Sequence, residues 1–143
     1  MIDERLRALC KGENYGVLTT LFPDGSPQSQ MMWIDCDDDH VIINTEVHRA
    51  KYKNLASDPR VVITIWPAGD LTTYFEVRGT VADTVVGEEA KAHLDSLAQR
   101  YFKVDEYPYP IQSARAIVRI APDRVISFPR NRASYPTATC TPD

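Results

Sequence analysis

Val41-Ile-Ile-Asn-Thr-Glu-Val-His-Arg-Ala-Lys-Tyr-Lys-Asn-Leu-Ala-Ser-Asp-Pro-Arg60 is the stretch that decides how the rest of the chain is read. Its opening, Val41 to Thr45, has the β-branched content of a strand. A helix follows, and it is short, because Pro59 disfavours helical geometry at Asp58 and so ends the helix near Ser57. The next run, Val61-Val-Ile-Thr-Ile-Trp66, returns to strand and is apolar enough to be expected as the most buried one. The segment is β structure interrupted by one short helix, and that helix is basic.

Arg49, Lys51 and Lys53 lie on it, with Arg60 just past its end. A surface helix usually sets its cations three or four residues from carboxylates, each pair contributing about 0.2–0.5 kcal/mol. Only Arg49 has such a neighbour, Glu46. Lys51 has Val47, His48, Asn54 and Leu55 at those offsets, and Lys53 has Arg49, Ala50, Ala56 and Ser57. Two readings fit: a plain solvated basic helix, or an anion site. A helix that starts after a strand presents open backbone N–H groups and a positive dipole end, here with cations alongside, and a phosphate would use all three.

A length of 143 residues suits one domain, able to bury about 68–70% of the surface its unfolded chain would expose. The expected organisation is a single domain over residues 1–128 and a loose tail, residues 129–143, rich in Pro, Thr and Ser. A net charge of −4 lacks the electrostatic footprint of a nucleic-acid binder, so the partner of the basic helix is a small anion. No run reaches the roughly 20 apolar residues of a membrane span, and the start lacks the basic-then-apolar order of a signal peptide. A cytoplasmic protein without membrane contacts is expected. Cys10, Cys36 and Cys140 form neither a disulfide framework nor a metal-binding pair, and Cys10 suits buried packing.

Outward from the basic helix, Ile2, Leu6, Leu9 and Cys10 recur at helical spacing up to Gly12, which predicts a helix over 2–11. Residues 15–22 read as a strand, Pro23 to Ser26 as a turn, and Pro27 to Cys36 as one returning strand. Its polar half, Gln28-Ser29-Gln30, suits either a cleft or an exposed strand end. Leu71 to Ala82 alternates, with Thr72, Tyr74, Glu76 and Arg78 on the polar face, and Gly79 suggests a bulge. Residues 87–101 form the clearest helix, with His93 beside its apolar stripe as a structural residue. Residues 103–110 read as an aromatic loop. Ala114 to Ile120 and Arg124 to Phe128 read as two last strands separated by a Pro122-Asp123 turn. Six or seven strands, two longer helices and one short one predict a small closed or nearly closed antiparallel barrel.

The chemistry is notable for what is missing. There is no GxSxG elbow, P-loop or GxGxxG. His40, His48 and His93 lack zinc-ligand spacing, and the acidic turn Asp37-Asp-Asp-His40 reads as solvated, so no metal is expected. Any reaction must lean on a bound organic cofactor.

Gly16-Val-Leu-Thr-Thr20, Asp24-Gly-Ser-Pro-Gln28, and Arg49-Ala-Lys-Tyr-Lys-Asn-Leu55 with Asp58-Pro-Arg-Val61 together resemble the split-barrel flavin and deazaflavin reductases related to pyridoxamine 5′-phosphate oxidase. The likeness runs from about Glu4 to Phe128. It implies a mainly β (α+β), antiparallel split β-barrel of the FMN-binding-protein type, assembled as a homodimer with cofactor sites at the subunit interface. It further implies that Arg49, Lys51 and Lys53 meet the cofactor phosphate, and that Pro27, Gln28, Ser29, Gln30 and Met31 edge the ring. Asn44 and Thr45 would lie near the phosphate or ribityl chain, and the other subunit would supply Thr72 and Tyr74. The Arg-Ala-Lys helix and compact length are closer to the group using coenzyme F420, whose anionic tail would meet Lys53, Arg60 and Arg78; FMN needs the same phosphate clamp. The extended C-terminal region with which pyridoxamine 5′-phosphate oxidases proper bind their substrate is missing, which speaks against oxidation of a vitamin B6 phosphate.

The expected function is an F420-dependent oxidoreductase moving a hydride between the deazaflavin and a small unsaturated or quinone-like molecule, with Tyr74 as proton donor. An FMN reductase or oxidase of the same fold and a non-catalytic deazaflavin carrier are the alternatives.

Overall fold

The computed structural model describes residues 1–129. Its strands are β1 (Tyr15–Leu21), β2 (Pro27–Trp33), β3 (Asp35–Cys36), β4 (Val41–Glu46), β5 (Arg60–Trp66), β6 (Tyr74–Val86) and β7 (Arg115–Phe128). The helices are α1 (Glu4–Lys11), α2 (Ala50–Ser57) and α3 (Glu88–Phe102). Every pairing is antiparallel, in the order β2-β1-β5-β6-β7-β4-β3. β2 and β3 are therefore the two edges of the sheet, yet only Ile34 separates them in the chain. A flat sheet of this size would be about 29 Å across at roughly 4.8 Å per strand, far beyond one residue's reach. The sheet must roll until its edges meet, and those edges form no ladder with each other. The result is the antiparallel, mainly β split barrel with three helices.

Alternation along the strands fills the barrel. Leu18, Ile63 and Val77 are opposite one another on the inner face and almost fully buried. Ile43, Val118 and Ile120 join them, with Leu6, Leu9 and Cys10 from α1 closing one side. α1 begins at Asp3, whose side chain accepts the N–H groups of Arg5 and Leu6, and it ends at Gly12. On the outside, Ala90 of α3 packs on Ile42 and Ile117.

Five expectations need correction. Pro27 to Cys36 is two strands, because the chain changes partner at Ile34, leaving β1 for β4. The two last strands are one continuous β7: Arg78 faces Arg124 and Gly79 faces Pro122, so Asp123 is the extra residue of a bulge. Pro122 is tolerated because a bulge relaxes the demand for a ladder N–H. β6 starts at Tyr74, and Thr72 lies in the preceding turn with its N–H and hydroxyl on Asp70 Oδ1. The most buried strand is β4, covered on both faces, whereas Val62, Thr64 and Trp66 of β5 are half-buried. α1 is no longer than α2, at eight residues.

Cys10 and Cys36, distant in sequence, are both buried and free. The Cys36 thiol donates to Arg7 O at 3.9 Å; its nearness, with burial, pushes the Cys10 thiol up, while Cys10 holds the Cys36 thiol below its ordinary range. The expectation of a loose tail falls, beyond Pro129, outside the described residues. No helix among the described residues is long and apolar enough to cross a membrane.

Candidate functional site

α2 lies across the inner face of the β1–β2 edge. Leu55 enters the barrel core, and Asn54 Nδ2 donates to Thr20 Oγ1 at 3.1 Å, both residues being buried. One turn earlier Lys51 Nζ donates to Gln30 Oε1 of β2 at 2.8 Å. The Asn54 bond holds α2 to β1, and the Lys51 bond holds its first turn to β2, one of the two edge strands. Arg49 occupies the N-cap position, and no side chain caps the helix there. Of its first-turn N–H groups, that of Tyr52 donates back to Arg49 O at 3.1 Å, and those of Ala50 and Lys51 are left to other acceptors.

The electrostatics are lopsided. Arg49, Lys51 and Lys53 make no ion pair with a carboxylate among the described residues. The expected Glu46–Arg49 pairing does not form: Glu46 is committed to His48 at 3.0 Å and Arg115 at 3.5 Å. Burial, then the charges of Arg49 and Arg115, hold the Lys51 amine below its ordinary range. Arg49 and Lys53 are exposed. Among the described residues two side-chain polar atoms are buried without a hydrogen-bond partner: Thr45 Oγ1 on β4 and Gln28 Oε1 on β2. An oxyanion brought to this corner would meet uncommitted cations and open amides.

Other expected residues divide. Pro27, Ser29 and Met31 are exposed on β2, and Gln28 and Gln30 are half-buried on its inner side. Asn44 is turned toward α3, with Nδ2 donating to Ala90 O at 2.8 Å and to His93 Nδ1 at 3.0 Å. His93 Nδ1 therefore accepts, and its Nε2–H donates to Asp35 Oδ2 at 2.9 Å. Asn44 Oδ1 receives Arg115 Nε at 2.8 Å. Arg60 and Arg78 are not spare: Arg60 pairs with Asp58 at 2.7 Å and Arg78 with Glu76.

Tyr74 is not brought to the cation cluster. It stacks on Phe128, ring centroids 5.2 Å apart, in a 450 Å³ cavity also lined by Leu9, Pro67 and Phe75. Thr72 lies in the turn before it, outside that lining.

Sequence reasoning missed Arg115, the Asp35–His93 pair and the His48–Ser113 contact at 2.5 Å. No local spacing signals them, since their partners come from distant elements. The aromatic loop is part of the same surface: Tyr107 takes a place in a ring cluster with Trp33 and Tyr109, and Arg115 lies 5.9 Å over its ring. Among the described residues no group of three or more His, Cys, Asp or Glu side chains is placed to hold a metal.

The family profile of pyridoxamine 5′-phosphate oxidase matches residues 2–128. The chain belongs to that family. Among solved structures it is similar to an F420 reductase, at 28% identity over 84% of this chain and 94% of that one, with a TM-score of 0.70. A conserved hypothetical protein from Mycobacterium tuberculosis matches at 22% identity over 99% and 93% of the two chains, TM-score 0.72. The heme storage protein HutZ of Vibrio cholerae matches at 10% identity over 87% and 92%, TM-score 0.62. The last two share the fold with this family member and show nothing more.

Proposed function

We propose that the corner formed by α2 and β2 holds the phosphate of a deazaflavin cofactor, coenzyme F420, and that the protein is an oxidoreductase acting on a small unsaturated or quinone-like molecule. The observation that carries this is Lys51: a half-buried amine, tied to the neutral Gln30 and in no ion pair among the described residues. A buried cation without a counter-ion is costly unless a ligand supplies the missing charge. The uncapped α2 and the unpartnered Thr45 hydroxyl, which can donate, fit the same group. The choice of F420 is supported by the likeness to an F420 reductase.

On this reading Arg49 and Lys51 hold the phosphate, with Lys53 toward the anionic tail; Arg60 and Arg78 drop out because acidic neighbours occupy them. Asn44 contributes through its backbone, its amide being spent on α3. Pro27 to Met31 edge the ring and keep water from one side of it. The bound cofactor supplies the hydride chemistry. The protein supplies position and a water-poor setting. A second copy of the chain, packed on the strands that no helix covers, would bring Thr72 and Tyr74, with the Tyr74 hydroxyl as proton donor.

The test is side-by-side fluorescence titration of wild type and the Arg49→Ala/Lys51→Ala double variant with F420 and FMN. Tight binding of F420 by wild type and its loss in the double variant, with unfolding unchanged, is the expected result. Equal affinity in both proteins would remove the phosphate assignment. Tighter binding of FMN would keep the site and change the cofactor.

A further inference from the structure

We infer that Arg115 is a third cation of the α2 anion site and favours ring cofactors that carry a phosphate over the same rings without one. The inference rests on the reading of α2 as the phosphate helix and adds a specificity-determining residue that this reading did not contain. Arg115 opens β7 directly opposite Glu46 of β4. Its side chain is only 11% exposed, and a guanidinium so buried is ordinarily matched by a close, often two-pronged carboxylate. Here the match is poor. Nη1 lies 3.5 Å from Glu46 Oε1, while Nε is spent on the neutral amide oxygen of Asn44 at 2.8 Å.

Glu46 is also divided among several groups. Its Oε2 faces His48 Nδ1 at 3.0 Å and accepts the Gln112 N–H at 3.3 Å and the Ser113 hydroxyl at 3.4 Å. One shared carboxylate thus stands against Arg49, Lys51 and Arg115. These three cations feel one another: Arg49 and Arg115 both act on Lys51, and Arg49 acts on Arg115. An anion placed among them turns that repulsion into attraction.

Arg115 is also held in place. Asn44 is fixed by Ala90 O and by His93, which is itself held by Asp35. The Tyr107 ring lies on another side of the guanidinium. The cation cannot swing into bulk water to shed its field, and it stays beside Glu46, whose other oxygen faces His48, the residue before the N-cap of α2.

The experiment compares FMN with riboflavin, and F420 with its phosphate-free riboside, in wild type, Arg115→Gln, Arg115→Lys and Glu46→Gln. Arg115→Gln should weaken the phosphate-bearing member by about tenfold and leave the phosphate-free member unchanged, as loss of one partly screened charge would do. Arg115→Lys should recover most of the loss. Glu46→Gln, which removes the shared counter-charge, should raise the preference for phosphate, and it decides the matter if Arg115→Gln fails to fold. Equal weakening of both members would mean a structural role and overturn the inference. An unchanged ratio beside a loss in Arg49→Ala/Lys51→Ala would sink Arg115 alone; no change in any variant would sink the phosphate helix as well.

Discussion

Replacing Asp35 by Asn removes a charge and little else, and the structure fixes what that costs. The carboxylate is 10% exposed and takes Lys11 Nζ at 2.9 Å, His93 Nε2 at 2.9 Å and Arg100 Nη2 at 3.0 Å. Burial pushes this carboxyl up, but the bonds from His93, Lys11 and Arg100 outweigh it and hold it well below the usual carboxylate range. Stripping one partner from a buried ion pair costs about 3–5 kcal/mol. Lys11, 46% exposed, can turn back to water, and Arg100 keeps the carbonyls of Cys10 and Ile34. The expected loss at pH 7 is therefore smaller, about 2–3 kcal/mol. For a chain of this size that lowers the melting temperature by roughly 6–12 °C. Because the folded pKa lies below the unfolded one, the wild-type advantage is complete above pH ~4 and fades as acid approaches the folded value. Urea unfolding at pH 7 and pH 3 should show the gap between the two proteins narrowing. A gap under ~0.5 kcal/mol at pH 7, or one that widens in acid, would refute the argument.

Two further substitutions probe the frame of the site. A Cβ at Gly79 would lie 2.7 Å from both Ala121 O and Ile120 Cγ2, so Gly79→Ala should destabilise by about 1–3 kcal/mol; an unchanged thermal melt would mean that the bulge is not tightly packed. Asn54→Ala strands the buried Thr20 hydroxyl, which should cost about 1–3 kcal/mol and loosen cofactor binding. If melting and titration both match wild type, Asn54 does not pin α2.

Residues 41–66 show why some of this was legible in the sequence. β-branched runs and Pro59 act locally, so β4, the end of α2 and β5 could be read directly, as could the unpaired lysines. The Gly79 bulge was legible too, but its partner was not: Pro122 looks like a turn until the opposite strand is known. Long-range polar partners carry no local signal either. Lys11, Asp35, His93 and Arg100 meet only because the barrel closes at Ile34 and α3 packs over β4. Glu46 illustrates the reverse error, since helical offsets assign it to Arg49 while the strand ladder hands it to Arg115.

β7 also measures the molecule. Arg115 is its first residue and Phe128, stacked on Tyr74, its last. Fourteen residues of extended backbone have a contour of about 43 Å, well over the length of a tricyclic ring system. The bulges bend that length, but the Tyr74 phenol and the Arg115 guanidinium still belong to opposite ends of the strand. A ligand that used both from different copies of the chain would lose its chemistry on dilution before either chain unfolded.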